Sequence, residues 1–211
     1  MKRLPLGFFL AATSVSAFAA PLLQNTSFET NNVSSGSFLY ANNAVGIPAN
    51  ETGVTATGWN FVSGTNSGIS NGSAGWGTAQ SGTSLAFLQQ FSQISQTFSS
   101  SGNYSINLSF YMMDRPGYSL AQVVNVMLNN QIIDTITPGN SSTWTQYSIN
   151  NLLIGAGNYT LTFEGTVTSV DTSALLDNIS MTATASNVAE PASLTLLGFG
   201  LAGLCFTRRK S

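Results

Sequence analysis

"NYSINLSFYMM" (residues 103–113) alternates apolar and polar side chains with a period of two. On an extended backbone Tyr104, Ile106, Leu108, Phe110 and Met112 fall on one face, and Ser105, Asn107, Ser109 and Tyr111 fall on the other. A segment of that kind is a half-buried β-strand, and it sets the reading of its neighbours. "NYTLTFEG" (158–165) repeats the pattern with Tyr159, Leu161 and Phe163. "QVVNVMLNNQIIDTIT" (122–137) reads as two strands, Val124 to Leu128 and a return through Ile132, Ile133 and Ile136, joined at Asn129-Asn130. Shorter candidates lie at 59–62, 84–89, 93–98, 144–149 and 174–183. About nine strands with no helical stretch between them predict an all-β antiparallel sandwich rather than an α/β fold.

Residues 31–58 and 63–82 are rich in Asn, Ser, Gly and Thr, yet they contain Phe38, Tyr40, Val45, Ile47, Val54 and Trp76. We read them as long loops with short strands at one end of the sandwich. Trp59, alternating with Phe61, and Trp144 beside a strand are expected in the core.

Both ends of the chain read as addresses. Lys2 and Arg3 precede an apolar stretch and the small residues Ala17-Phe18-Ala19, the pattern of a secretory signal peptide over residues 1–19. The sandwich is expected over 20–185. The tail, 186–211, holds an apolar run that ends in Arg208, Arg209 and Lys210. Its stretch 191–207 reaches roughly 25 Å as a helix, the short end of a spanning length. The three cations would stop it on the cytoplasmic side of the inner membrane and leave the sandwich outside.

From Ala20 to Val188 there are seven acidic residues against one basic residue, Arg115, a net charge of about −6. Such a segment cannot neutralise phosphates, which excludes nucleic acid as a partner. The only cysteine is Cys205, in the tail, so the exported part holds no disulfide. The chain contains no histidine, which removes the usual general base and the commonest transition-metal ligand.

Two resemblances can be named on these residues. Ala189-Glu190-Pro191, the apolar run Ala192 to Phe206 and the terminal cations resemble the PEP-CTERM sorting signal, with Ala189 where that family usually has proline. The resemblance implies recognition by an exosortase-like membrane enzyme and a host that makes exopolysaccharide. The second covers "NTSFE", "GWNF", "ISQTF", "YSINLSFYMMDRPGY", "VNVMLNNQIIDTI", "WTQYSI", "GNYTLTFEG" and "DTSALLDNIS", which in this order resemble a galactose-binding-like jelly roll. Many carbohydrate-binding modules share that fold, and it carries other functions as well.

The second resemblance implies a structural calcium ion held by an acidic residue near the first strand and another in the last, here Glu29 and Asp177. Alternation puts Asp177 on one face with Leu175, Ile179 and Met181, where a carboxylate must be paired or coordinated. The alternative is a carboxylate that bonds a neighbouring loop. The same resemblance matches Arg115 and Asp171 as either a clamp across strand ends or a ligand contact. Trp76, Tyr118 and Tyr40, in expected loops, are candidate platforms for a sugar face.

Catalysis has few candidates. Asp114, Glu51 and Glu164 could supply a glycosidase pair, but nothing in their spacing selects two of them. The sequence thus points to a non-enzymatic exported protein that contacts extracellular polysaccharide. A structural or adhesive matrix protein without a defined ligand is the alternative, with a carbohydrate-active enzyme behind it.

Overall fold

In a computed structural model, which describes residues 22–118, 122–139, 142–168 and 171–186, the chain forms two antiparallel sheets packed face to face. The strands are β1 (Ser37–Tyr40), β2 (Asn60–Phe61), β3 (Ser67–Asn71), β4 (Ser84–Gln89), β5 (Ser92–Ser100), β6 (Tyr104–Asp114), β7 (Val124–Leu128), β8 (Gln131–Ile136), β9 (Thr145–Ile154), β10 (Gly157–Gly165) and β11 (Ser173–Ala185). One sheet runs β1-β3-β4-β11-β6-β9, and the other β2-β5-β10-β7-β8. This is a jelly-roll β-sandwich, as the alternation predicts. The expected signal peptide and sorting tail lie outside the described residues.

β6 follows its sequence pattern: Ile106, Leu108, Phe110 and Met112 point between the sheets into the main core, with Phe163, Ile94, Leu88 and Leu176. Asn129 and Asn130 both take positive φ, 49° and 64°, which closes the β7–β8 hairpin where the sequence placed its turn.

Eleven strands replace the nine placed individually, because β1 and β3 are among the short strands of the segments read as long loops. β3, Ser-Gly-Ile-Ser-Asn, has one large apolar residue and therefore no visible alternation. Its neighbours require small residues: a Cβ on Gly68 would lie 2.2 Å from Phe87 Cζ and 2.3 Å from the Leu39 carbonyl.

A second apolar cluster covers the outer face of the six-stranded sheet. Tyr40, Trp76, Leu85, Phe87, Met113 and Leu175 build it, under the loop that carries the short 3₁₀ turn Ala74–Trp76. This explains why period-two reading fails at the end of β6, where Met112 and Met113 are both buried. Trp59 sits in the main core as expected. Trp144 does not: it packs half-buried on the outer cluster, and its Nε1 donates to the Thr78 carbonyl at 3.0 Å.

Candidate functional site: an aromatic stack and a carboxylate-held turn

The sequence Arg115-Pro116-Gly117-Tyr118 closes a turn directly after β6, with Tyr118 N–H donating to the Arg115 carbonyl at 3.3 Å and Gly117 at φ 85°. Proline second and glycine third are the residues such a turn selects. The turn folds the Tyr118 ring over the Arg115 guanidinium, 4.3 Å from Cζ to the ring centroid. The guanidinium also lies 3.8 Å from the Trp76 ring centroid. Trp76 in turn stacks on Phe87, with centroids 3.8 Å apart and planes 10° apart. Phe87, Trp76, Arg115 and Tyr118 thus form one continuous pile, from the sheet outward to solvent.

Three expectations change here. Trp76 and Tyr40 are not surface platforms, because they are only 1 % and 4 % exposed inside the outer cluster. The signal that misled was the loop composition around them; the partner that buries Trp76, Phe87, lies on a strand eleven residues on. Tyr118, at 38 % exposure, is the outermost ring of the pile.

Arg115 and Asp171 do not form the expected clamp. Arg115 Nε donates to the Gly75 carbonyl at 2.9 Å, and its face is taken by the two rings. Asp171, exposed, accepts from Gln89 Nε2, and Gln89 Oε1 accepts from the Tyr40 hydroxyl. Burial pushes the Tyr40 hydroxyl well above the ordinary tyrosine range; Arg115 opposes that, while Asp171 and Glu51 add to it. These groups therefore gather at one end of the outer face, linked through Tyr40 and Gln89 rather than directly.

Glu29 and Asp177 are brought together on the turn 80–84. Asp177 Oδ2 accepts from the Gln80 and Ser81 N–H groups, each at 2.8 Å, and its Oδ1 accepts from Asn178 N–H at 2.7 Å. Glu29 Oε1 accepts from Thr83 and Ser84 N–H at 2.9 and 2.8 Å, and its Oε2 from the Thr83 hydroxyl at 3.1 Å. Gly82, at φ 69°, sits so close that a Cβ would lie 2.3 Å from Glu29 Oε1.

Asp177 is fully buried, but on the outer face with Leu175 and not with Ile179 and Met181. A β-bulge reverses the alternation: Asp177 pairs with Tyr111 and Ser180 with Ser109, leaving Asn178 as the extra residue at φ 46°. Desolvation pushes the Asp177 carboxyl up to about 7, against the pull of the Ser81, Asn178 and Gln80 N–H groups and with a further push from Glu29.

This donor set does not fit a calcium ion shared by Glu29 and Asp177. Calcium takes oxygen ligands, whereas the atoms facing Asp177 Oδ2 and Glu29 Oε1 are four backbone N–H groups whose positive ends oppose a cation. The pair serves as a hydrogen-bonded clamp on the turn.

The three carboxylates considered for glycoside cleavage are on separate elements. Asp114 ends β6 and faces between the sheets, Glu164 points outward from β10 and accepts from Gln93, and Glu51 lies in the 3₁₀ turn Ala49–Glu51.

Comparison with known proteins settles what the tail is. Residues 187–210 match the PEP-CTERM protein-sorting motif. The chain carries a PEP-CTERM sorting signal. That motif marks an exported, membrane-anchored precursor. Its residues Ala189, Glu190, Pro191, Arg208, Arg209 and Lys210 all fall inside the match. No helix of the described residues is long and apolar enough to cross a membrane.

For the sandwich, an arabinose-bound MgGH51 α-L-arabinofuranosidase superposes with a TM-score of 0.51 at 11 % identity, over 81 % of this chain and 27 % of that one. TmCBM61 in complex with β-1,4-galactotriose gives 0.48 at 12 % identity, over 77 % and 98 %. The CBM22-1 xylan-binding domain of Paenibacillus barcinonensis Xyn10C gives 0.47 at 13 %, over 74 % and 99 %. At these identities the likeness is one of fold. Among curated proteins no sequence matches the chain.

Proposed function

We propose that this is a non-enzymatic envelope protein, sorted by an exosortase-type system, whose sandwich binds extracellular polysaccharide at the Tyr118 end of the stack. The observation that carries the binding half is the stack itself. A pyranose face is apolar and needs a flat, fixed partner. Tyr118 packs its ring on Arg115 and keeps 38 % of its surface exposed, above the Phe87–Trp76 base.

Asp171, exposed and held by Gln89, adds an acceptor for sugar hydroxyls at the same end. The outer face of the five-stranded sheet offers a poorer surface. Its outward positions on β5 and β10 are Gln93, Ser95, Thr97, Ser99, Asn158, Thr160, Thr162 and Glu164, with no aromatic ring.

The sorting half rests on the motif at 187–210. The recognition point would be Glu190-Pro191, and the acceptor of the released protein a surface component of the host envelope.

The test is binding of the full-length protein in detergent to soluble β-1,4-galactan and xylan, the polymers of the two similar modules, followed by a wider polysaccharide panel. Saturable binding that falls at least about tenfold in Tyr118→Ala, with the melting temperature unchanged, is the expected result; a loss of that size is what one good aromatic contact supplies. Binding that is absent throughout the panel, or indifferent to Tyr118, would leave a matrix protein without this site.

A further inference from the structure

Asp114 is a buried carboxylate with no hydrogen-bond partner among the described residues. It is 2 % exposed, and neither of its oxygens has a hydrogen-bond partner. Buried charges in proteins are paired or coordinated because a lone one is costly.

No side-chain cation among the described residues serves it. Arg115 is the only Lys or Arg between Leu4 and Thr207, and its guanidinium is held on the opposite, outer face between Trp76 and Tyr118. Desolvation accordingly pushes the Asp114 carboxyl up to about 6; the Gln122 and Arg115 backbone N–H groups, close enough to pull it down, do not reach hydrogen-bond geometry.

A second orphan lies beside it. Asp114 pairs with Ala174 in the β6–β11 ladder, and both point into the space between the sheets. Thr172 precedes Ala174 by two residues and, with its carbonyl accepting from Gln90 N–H, continues the same strand direction. Its side chain therefore shares the inward face, on the diagonal from Asp114. Thr172 is 1 % exposed, and its Oγ1 also has no partner. Ser173 Oγ is likewise unpartnered, but Ser173 pairs with Gln89 on the outer face and takes no part.

The two inward groups do not bond each other. A proton on Asp114 removes the charge only below about pH 6. A water molecule would bridge the oxygens but leave the charge. A cation that prefers oxygen ligands answers both needs at once.

We propose that Asp114 and Thr172 hold a small hard cation, sodium or calcium, between the two sheets where β6 ends and β11 begins. The site is separate from the Glu29–Asp177 clamp, which lies on the outer face. It belongs to the fold and stands whether or not the sandwich binds sugar.

The experiment is thermal melting of the full-length protein in detergent, in choline chloride with EDTA, against added sodium chloride and, in a second arm without chelator, calcium chloride. The melting temperature rises saturably with one of the two ions; the arm that responds names it. The rise persists in Asp177→Asn and is lost in Asp114→Asn. Absence of a saturable rise with either ion, or an equal rise in Asp114→Asn, overturns the proposal. Should Asp114→Asn fail to fold, Thr172→Val keeps the charge and removes one ligand: half-saturation then moves up about tenfold, and an unmoved value overturns the proposal.

Discussion

Asp177 and Asp114 are both buried carboxylates on neighbouring strands of one sheet, two sheet positions that differ in face and in company. Asp177, on the outer face, accepts three backbone N–H groups from the turn it holds and from its own bulge. Asp114, on the inner face, accepts none. The contrast separates two ways of keeping a charge inside a chain that has a single cation in its fold. One is to spend loop backbone on it, which also pins the loop. The other is to leave a place for an ion. The resemblance to carbohydrate-binding modules directs attention to the first carboxylate as a metal ligand; hydrogen-bond accounting directs it to the second.

The largest effect expected on this contrast comes from Asp177→Ala. It leaves the Gln80, Ser81 and Asn178 N–H groups without their acceptor and frees the turn beneath Trp76, at a cost of about 3 kcal/mol in unfolding free energy. Chemical denaturation measures it, and a cost within roughly 0.5 kcal/mol of zero, the size of an ordinary surface change, would show that the turn stands without the clamp. Gly82→Ala tests the same clamp from the other side. The new Cβ meets Glu29 Oε1 at a backbone angle L-residues avoid, and stability falls by about 2 kcal/mol. Equal stability of Gly82→Ala and wild type would mean that Glu29 is free to move away.

Asp114→Asn has the opposite sign when no ion is supplied. In EDTA and choline chloride near pH 8 it removes an uncompensated charge, and stability rises by about 1 kcal/mol. A loss under those conditions would show that the ionised carboxylate has a protein partner after all.

The pH dependence reads both carboxyls together. A carboxyl whose folded pKa is raised gives a contribution that is full below its unfolded value near 4 and is lost as pH rises through the folded value. For Asp114 that window closes at about 6 and for Asp177 at about 7. Metal-free wild type is therefore less stable at pH 7 than at pH 4.5 as far as these two groups decide it. Asp114→Asn flattens the part of the curve below 6, and a curve of the same shape in both proteins would rule out that assignment.

Much of the fold is legible in the sequence because the long strands alternate large apolar and small polar residues; β6, β7 and β10 fall where that pattern puts them. β3 is invisible for a physical reason. It packs by being small, with Gly68 against Phe87, and small residues carry no hydrophobic signal. The site was less legible. Asp177 was assigned to the wrong neighbours because alternation cannot announce the bulge at Asn178. Trp76 looked like a loop aromatic because Phe87, which buries it, is on a separate element. Arg115 looked like a partner for a carboxylate because charge is what a sequence shows, while the two rings that sandwich it are brought there by the Arg115–Tyr118 turn. Asp114 precedes Arg115 directly, and the alternation that sends the two side chains to opposite faces keeps this neighbouring pair apart.

The contrast between the two carboxylates can be read most directly in crystals of the protein grown with calcium or with rubidium in place of sodium, from an anomalous difference map. The account predicts one peak at Asp114, within ion-ligand distance of an Oδ atom and of Thr172 Oγ1, and no peak between Glu29 and Asp177. A peak between Glu29 and Asp177 with none at Asp114 would contradict it.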